Sequence, residues 1–125
     1  FSRSHKIMPV DPAPFFILIA AHVVLLALGI PLALGRVKRN QWYGFRTPST
    51  VTRDEVWYPV NAAFGQVQSA LVGCSLVVML LGMVTQPGER WIQVGVIGVV
   101  FATFASIVYG LLVLQKAKRL PPGSR

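Results

Sequence analysis

Arg46 stands inside the stretch NQWYGFRTPST, residues 40–50, and it is the side chain there with the most to offer chemically. A guanidinium presents a planar fork of N–H donors that matches a phosphate or a carboxylate bidentately. Glu55 follows in the same connection and could pair with it. Asn40 and Asn61 flank it with amides suited to hydrogen-bonding the backbone of a turn. Trp42, Tyr43 and Trp57 are aromatic types that settle at the headgroup level of a membrane. Gly44 permits backbone angles barred to other residues, and Pro48 biases Thr47 toward an extended conformation. This is chemistry of recognition. Neither a Ser–His–Asp order nor a His-Glu-x-x-His motif is present, and the acidic residues are only Asp11, Asp54, Glu55 and Glu89. No enzymatic activity, cofactor or metal site is expected.

Outside this stretch the polar candidates are His22, Gln66 and Gln68. His22 is the one ionisable residue well inside an apolar run, where such a group is a functional hypothesis by default. It suits either a neutral imidazole bonded to a neighbouring helix or a proton relay or substrate contact, and no carboxylate accompanies it. Gln66, Gln68 and Ser69 put polarity into the start of the second apolar run. Cys74 is the single cysteine, so no disulfide framework or metal-ligand spacing exists.

The elements that must position these groups follow from composition. The chain has 125 residues, 54% apolar and 13% charged, with mean hydropathy +0.59. Soluble domains carry about 25% charged residues. Three long apolar runs, residues 15–34, 62–84 and 91–114, each reach the roughly 20 residues that cross a bilayer. The expected fold is an all-α membrane protein, a three-transmembrane-helix bundle with a short interfacial loop or helix between spans 1 and 2. Residues 1–14 form an N-terminal segment, 15–114 the membrane domain and 115–125 a basic tail. The first run is longer than a signal-peptide core and ends near Pro31, which favours a retained span. Met8 is a candidate natural start, which would make residues 1–7 and 121–125 extraneous.

The formal charge is +8, but the basic residues flank apolar runs, which fits membrane-edge anchoring and not nucleic-acid binding. Nine of the twelve Lys and Arg fall on the side holding the 36–61 connection and the C-terminal tail; Arg3, Lys6 and Arg90 fall on the other. The positive-inside rule then puts the connection and the C-terminus in the cytoplasm and the N-terminus outside.

Because lipid is as apolar as leucine, packing of small residues and interhelical polar contacts must hold the helices together. Gly98, Ala102, Ser106 and Gly110 form one small-residue stripe; Gly65, Ser69 and Gly73 form another, and Gly29 with Ala33 ends the first run. These suit a compact bundle, a homo-oligomer, or both. In the connection, Gly35 is placed as a helix C-cap. Thr52-Arg-Asp-Glu55 matches a capping box, predicting a helix from Thr52, with Pro59 breaking or kinking it. Val56, Trp57 and Val60 would face lipid or bundle. An Arg46–Glu55 pair would tie the turn to that helix, with Trp42 and Trp57 as interfacial brackets.

Asn40, Gly44, Phe45, Arg46, Thr47, Pro48, Thr50, Glu55, Trp57 and Asn61 together resemble the signature of the SdpI family of small bacterial membrane proteins. The resemblance covers about residues 34–65. Arg39 stands where many members have proline, Asn61 where many have histidine, and the three spans are fewer than those of the immunity protein that names the family. The resemblance implies membrane-embedded binding: in the named toxin system the protein protects the producing cell and holds a repressor at the membrane. The expected partners are therefore membrane lipids and a peptide toxin or membrane protein, in an immunity or signalling role at the bacterial cytoplasmic membrane. The alternative is a lipid-headgroup-binding accessory subunit of a larger membrane complex.

Overall fold

The computed structural model describes residues 11–119 and 121. Arg3, Lys6, Met8 and Arg125, with most of the N-terminal segment and the end of the tail, lie outside the described residues. Three helices follow in order, α1 (Ala13–Ala33), α2 (Asp54–Thr85) and α3 (Arg90–Lys118), and each is long and apolar enough to cross a membrane. Their outer surface is lined with Phe16, Ile17, Val23, Val84, Ile97, Phe101 and Phe104, all exposed. Polar groups lie inside: His22, Asn61, Gln68, Ser75 and Ser106 are buried. An apolar exterior around a partly polar interior fits a chain solvated by lipid, and the chain is a multi-pass membrane protein.

Helix α1 stops as its sequence predicts. Gly35 has φ +68°, its N–H donates to the Leu32 carbonyl at 3.1 Å, and the Arg36 N–H reaches the Pro31 carbonyl at 3.0 Å. That pair of bonds is a Schellman motif, which glycine closes without Cβ strain. Helix α2 departs from expectation at its start. It begins at Asp54, with Arg53 as N-cap and no side-chain cap bond. The Thr52 hydroxyl instead donates to the Pro48 carbonyl at 2.7 Å, so the Thr52–Glu55 capping box does not form. Asp54 and Glu55 nonetheless occupy the first turn, where the helix dipole favours acids. Pro59 does not end the helix: α2 runs through it, because Val56, Trp57, Val60 and Asn61 around it are all buried against neighbouring elements.

The small-residue stripes place the helices. A Cβ on Gly65 would lie 2.5 Å from the Ala33 nitrogen and 2.6 Å from the Gly29 carbonyl oxygen, so α1 and α2 cross backbone to backbone there. Gly98 lies against Ser75, and Ala102 and Ser106 are fully buried in the α2–α3 seam. Gly73 meets nothing within 4 Å and takes no part in this packing. Helix α2 is the spine, packed on both α1 and α3, whereas α1 and α3 touch each other little.

Candidate functional site

The 40–50 stretch is organised by hydrogen bonds to its own backbone. The Asn40 Oδ1 accepts from the Trp42 and Tyr43 N–H groups at 2.8 and 2.9 Å, and its amide donates to the Lys38 carbonyl. This is the asparagine turn that its short side chain favours. Gly44 follows with φ +114°, and a Cβ there would stand 2.6 Å from Asn61 Oδ1 and 3.1 Å from the Trp57 ring. Both the angle and the approach require glycine.

Asn61 then clasps Phe45. Its Oδ1 accepts the Phe45 N–H at 2.6 Å and its Nδ2 donates to the Phe45 carbonyl at 3.3 Å, while also reaching the Trp57 carbonyl. One buried side chain thus satisfies both backbone groups of a loop residue, as a neighbouring strand would. The Phe45 ring packs on the core of Val56, Val60, Leu114 and Ala117, touches Phe64, and sits over Gly110.

A reciprocal cap forms five residues upstream of the Thr52 match. Thr47 accepts the Thr50 N–H at 3.2 Å, and Thr50 Oγ1 accepts the Thr47 N–H at 2.6 Å. Pro48 takes the first position of the turn that follows, where a missing N–H costs nothing. Thr50, which the sequence reading placed in the family signature without a structural role, is fully buried. Its signal was Thr-Pro-Ser-Thr, a cap followed by proline, which the acidic form of the motif passes over.

Two expectations fail around the charges. Glu55 meets Arg53, Nε to Oε1 at 3.4 Å, and Asp54 meets Arg39 at 3.5 Å. Arg46 donates to the Gln41 carbonyl instead, so the Arg46–Glu55 pair is not formed. The reason is local: Arg53 is the helix N-cap, two residues from Glu55, whereas Arg46 is turned back along its own loop. Trp57 is not an interfacial anchor either. It is fully buried, and its Nε1–H donates to the Val37 carbonyl at 2.9 Å. Trp42 keeps the exposed position, at 88%.

What remains outward is Arg46. It is exposed and lines an open hollow of about 510 Å³ with Gln41, Gly44, Thr47, Pro48 and Val51. One contact to a carbonyl leaves most of its five N–H donors for an anion.

Deeper in the bundle, His22 is fully buried between Leu18 and Ser75. The Leu18 carbonyl, 2.7 Å from Nδ1, can only accept, so Nδ1 carries a proton, and Nε2 hydrogen-bonds the Ser75 hydroxyl at 3.0 Å. Both ring nitrogens are used: Nδ1 is tied back to α1 itself, and Nε2 bridges α1 to α2 through Ser75. Gln68 bridges α2 to α3 by accepting from Ser106 Oγ at 2.7 Å. Gln66 faces outward and joins neither network. Ser75, Thr103 and Ser106 went unnoticed as members of these networks because serine and threonine in apolar helices look like small packing residues.

The family model for SdpI/YfhL proteins matches residues 36–114, from just beyond the α1 cap through the loop, α2 and most of α3. No curated protein and no solved structure matches the chain.

Proposed function

The chain belongs to the SdpI/YfhL protein family, and from that premise we propose that it is a non-enzymatic membrane binding protein of the immunity type. It recognises a peptide, toxin or protein partner at the cytoplasmic membrane edge, with the loop and C-terminus inside a bacterial cell and the N-terminus outside. The observation behind this reading is the exposure of Arg46 on a loop whose neighbours are all tied down. Asn40, Asn61 and the Thr47–Thr50 box fix the backbone on both sides of it. A pre-set loop loses little conformational freedom on binding, so most of the interaction energy reaches the partner. The hollow beside Arg46 has apolar walls from Pro48 and Val51 and polar ones from Gln41 and Thr47. That mixture suits a short peptide segment bearing a carboxylate.

The test is photo-crosslinking in intact cells from a probe at Gln41, whose side chain is exposed at the hollow's rim. Phe45 is unsuitable because its ring is packed in the core. An adduct to one peptide or protein that disappears with Arg46→Ala is the expected result. Adducts to phospholipid alone would reject partner recognition and leave a headgroup-binding accessory subunit.

A further inference from the structure

Arg46 and Gly44 form a partition. On one side lies the open hollow beside Pro48; on the other a second cavity of about 340 Å³ runs beneath the loop into the bundle. Leu25 and Leu32 of α1 and Phe64 of α2 wall it, Tyr43 and Arg46 form its lip, and Gln68 and Thr103 lie at its inner end. From Leu25 to Leu32 is two helical turns, about 10 Å. Because α1 scarcely meets α3 and both line the cavity, we read its opening as lying between them. Leu28, at that opening, is 46% exposed on the apolar outer face.

The inner end is polar in an otherwise apolar slot. Gln68 spends its carbonyl on Ser106, and its Nε2 lies 3.5 Å from Thr103 Oγ1. That leaves a second amide N–H, and the Thr103 hydroxyl hydrogen has no acceptor among the described residues. A buried amide N–H beside a half-buried hydroxyl, both against apolar walls, favours an occupant that brings an acceptor. At the lip the demand is for negative charge, since Arg36 and Lys38 are exposed at the same end as Arg46.

We propose that this slot is a binding site for an anionic acyl lipid from the adjoining leaflet. Its phosphate sits on Arg46, an ester carbonyl turns to Gln68 and Thr103, and its chain passes Leu25 and Phe64 and leaves beside Leu28. A lateral opening to hydrocarbon favours a lipid over a peptide, which would arrive from the aqueous side. Arg46 then borders two sites, so lipid occupancy and partner binding share one side chain.

The site is tested with the purified full chain in detergent by native mass spectrometry, offering phosphatidylglycerol against phosphatidylcholine of matched chains. One phosphatidylglycerol per chain should be retained, about tenfold over phosphatidylcholine. Leu28→Trp, at an exposed position that accepts bulk, should lower retention about tenfold by blocking the opening. Thr103→Val, of similar shape, should lower it severalfold. Arg46→Gln should keep the lipid but erase the headgroup preference. Equal retention of both lipids, retention undiminished by Leu28→Trp, or a co-purifying peptide in the lipid's place would each overturn the proposal. Only chain and lipid are present, so this outcome is independent of any adduct at Gln41.

Discussion

The two ends of the bundle are closed in different ways. At the loop end, polar groups far apart in sequence interlock: Asn61 holds Phe45 across sixteen residues, and Trp57 reaches Val37 across twenty. At the other end, residues 86–89 turn the chain within a few residues. There the Trp91 Nε1–H donates to the Gln86 carbonyl at 2.8 Å, and the Trp91 ring lies on buried Gly82. Arg90 stands 6.0 Å above that ring. One end is defined by tertiary hydrogen bonds and the other by local fit. The loop end thus combines distant partners, at Asn61 and Trp57, with local ones, at Asn40 and Thr47.

The sharpest way to break that contrast is Asn61→Leu. Similar in size, it leaves the Phe45 N–H and carbonyl without their partner, at about 1–3 kcal/mol for each unsatisfied group. Thermal unfolding in detergent should show a larger loss than either Gly82→Ala or Arg46→Ala produces, and a loss no greater than that of a surface substitution would refute the clasp. At the opposite end, Gly82→Ala pushes a methyl into the Trp91 ring, which is only half-buried and can swing outward. Overpacking that can relax in this way should cost about 1 kcal/mol, with tryptophan emission shifted to the red; an unshifted spectrum would show that the ring never lay on the glycine. The smallest effect concerns charge. Arg46→Ala and Glu55→Ala should be additive within about 0.5 kcal/mol in a double-mutant cycle, since each has a different partner. A larger coupling would restore the direct pair.

Hydropathy alone made the three spans legible, because a bilayer imposes length and composition on every crossing helix. The glycine stop of α1 was legible for a similar reason: one residue type fits one backbone angle. The Asn40 and Asn61 contacts to the turn backbone were also foreseeable from amides flanking a glycine. The ion pairing was not. Arg39, Arg46 and Arg53 are chemically equal in sequence, and only the path of the loop decides which reaches Asp54 or Glu55. The capping box failed for a different reason. Thr52 satisfies the motif, but its hydroxyl turns back to the Pro48 carbonyl and leaves Arg53 as the N-cap. Burial of Trp57 was hidden as well, because an interfacial and a core tryptophan look alike until the loop at Val37 and Gly44 folds against it.

The clasp between Asn61 and Phe45 also sets an order of events during synthesis. Phe45 leaves the ribosome before Asn61, and Asn61 is carried on the second span. The connection therefore cannot settle when the first span enters the bilayer; it waits with its amide and carbonyl hydrated until the second has followed. Leu114 and Ala117, near the end of the third, then close the apolar seat beneath Phe45. A chain arrested between these steps carries an unfastened loop at the membrane surface. The clasp thus closes only once the second span is in place, and the seat beneath Phe45 only once the third has followed.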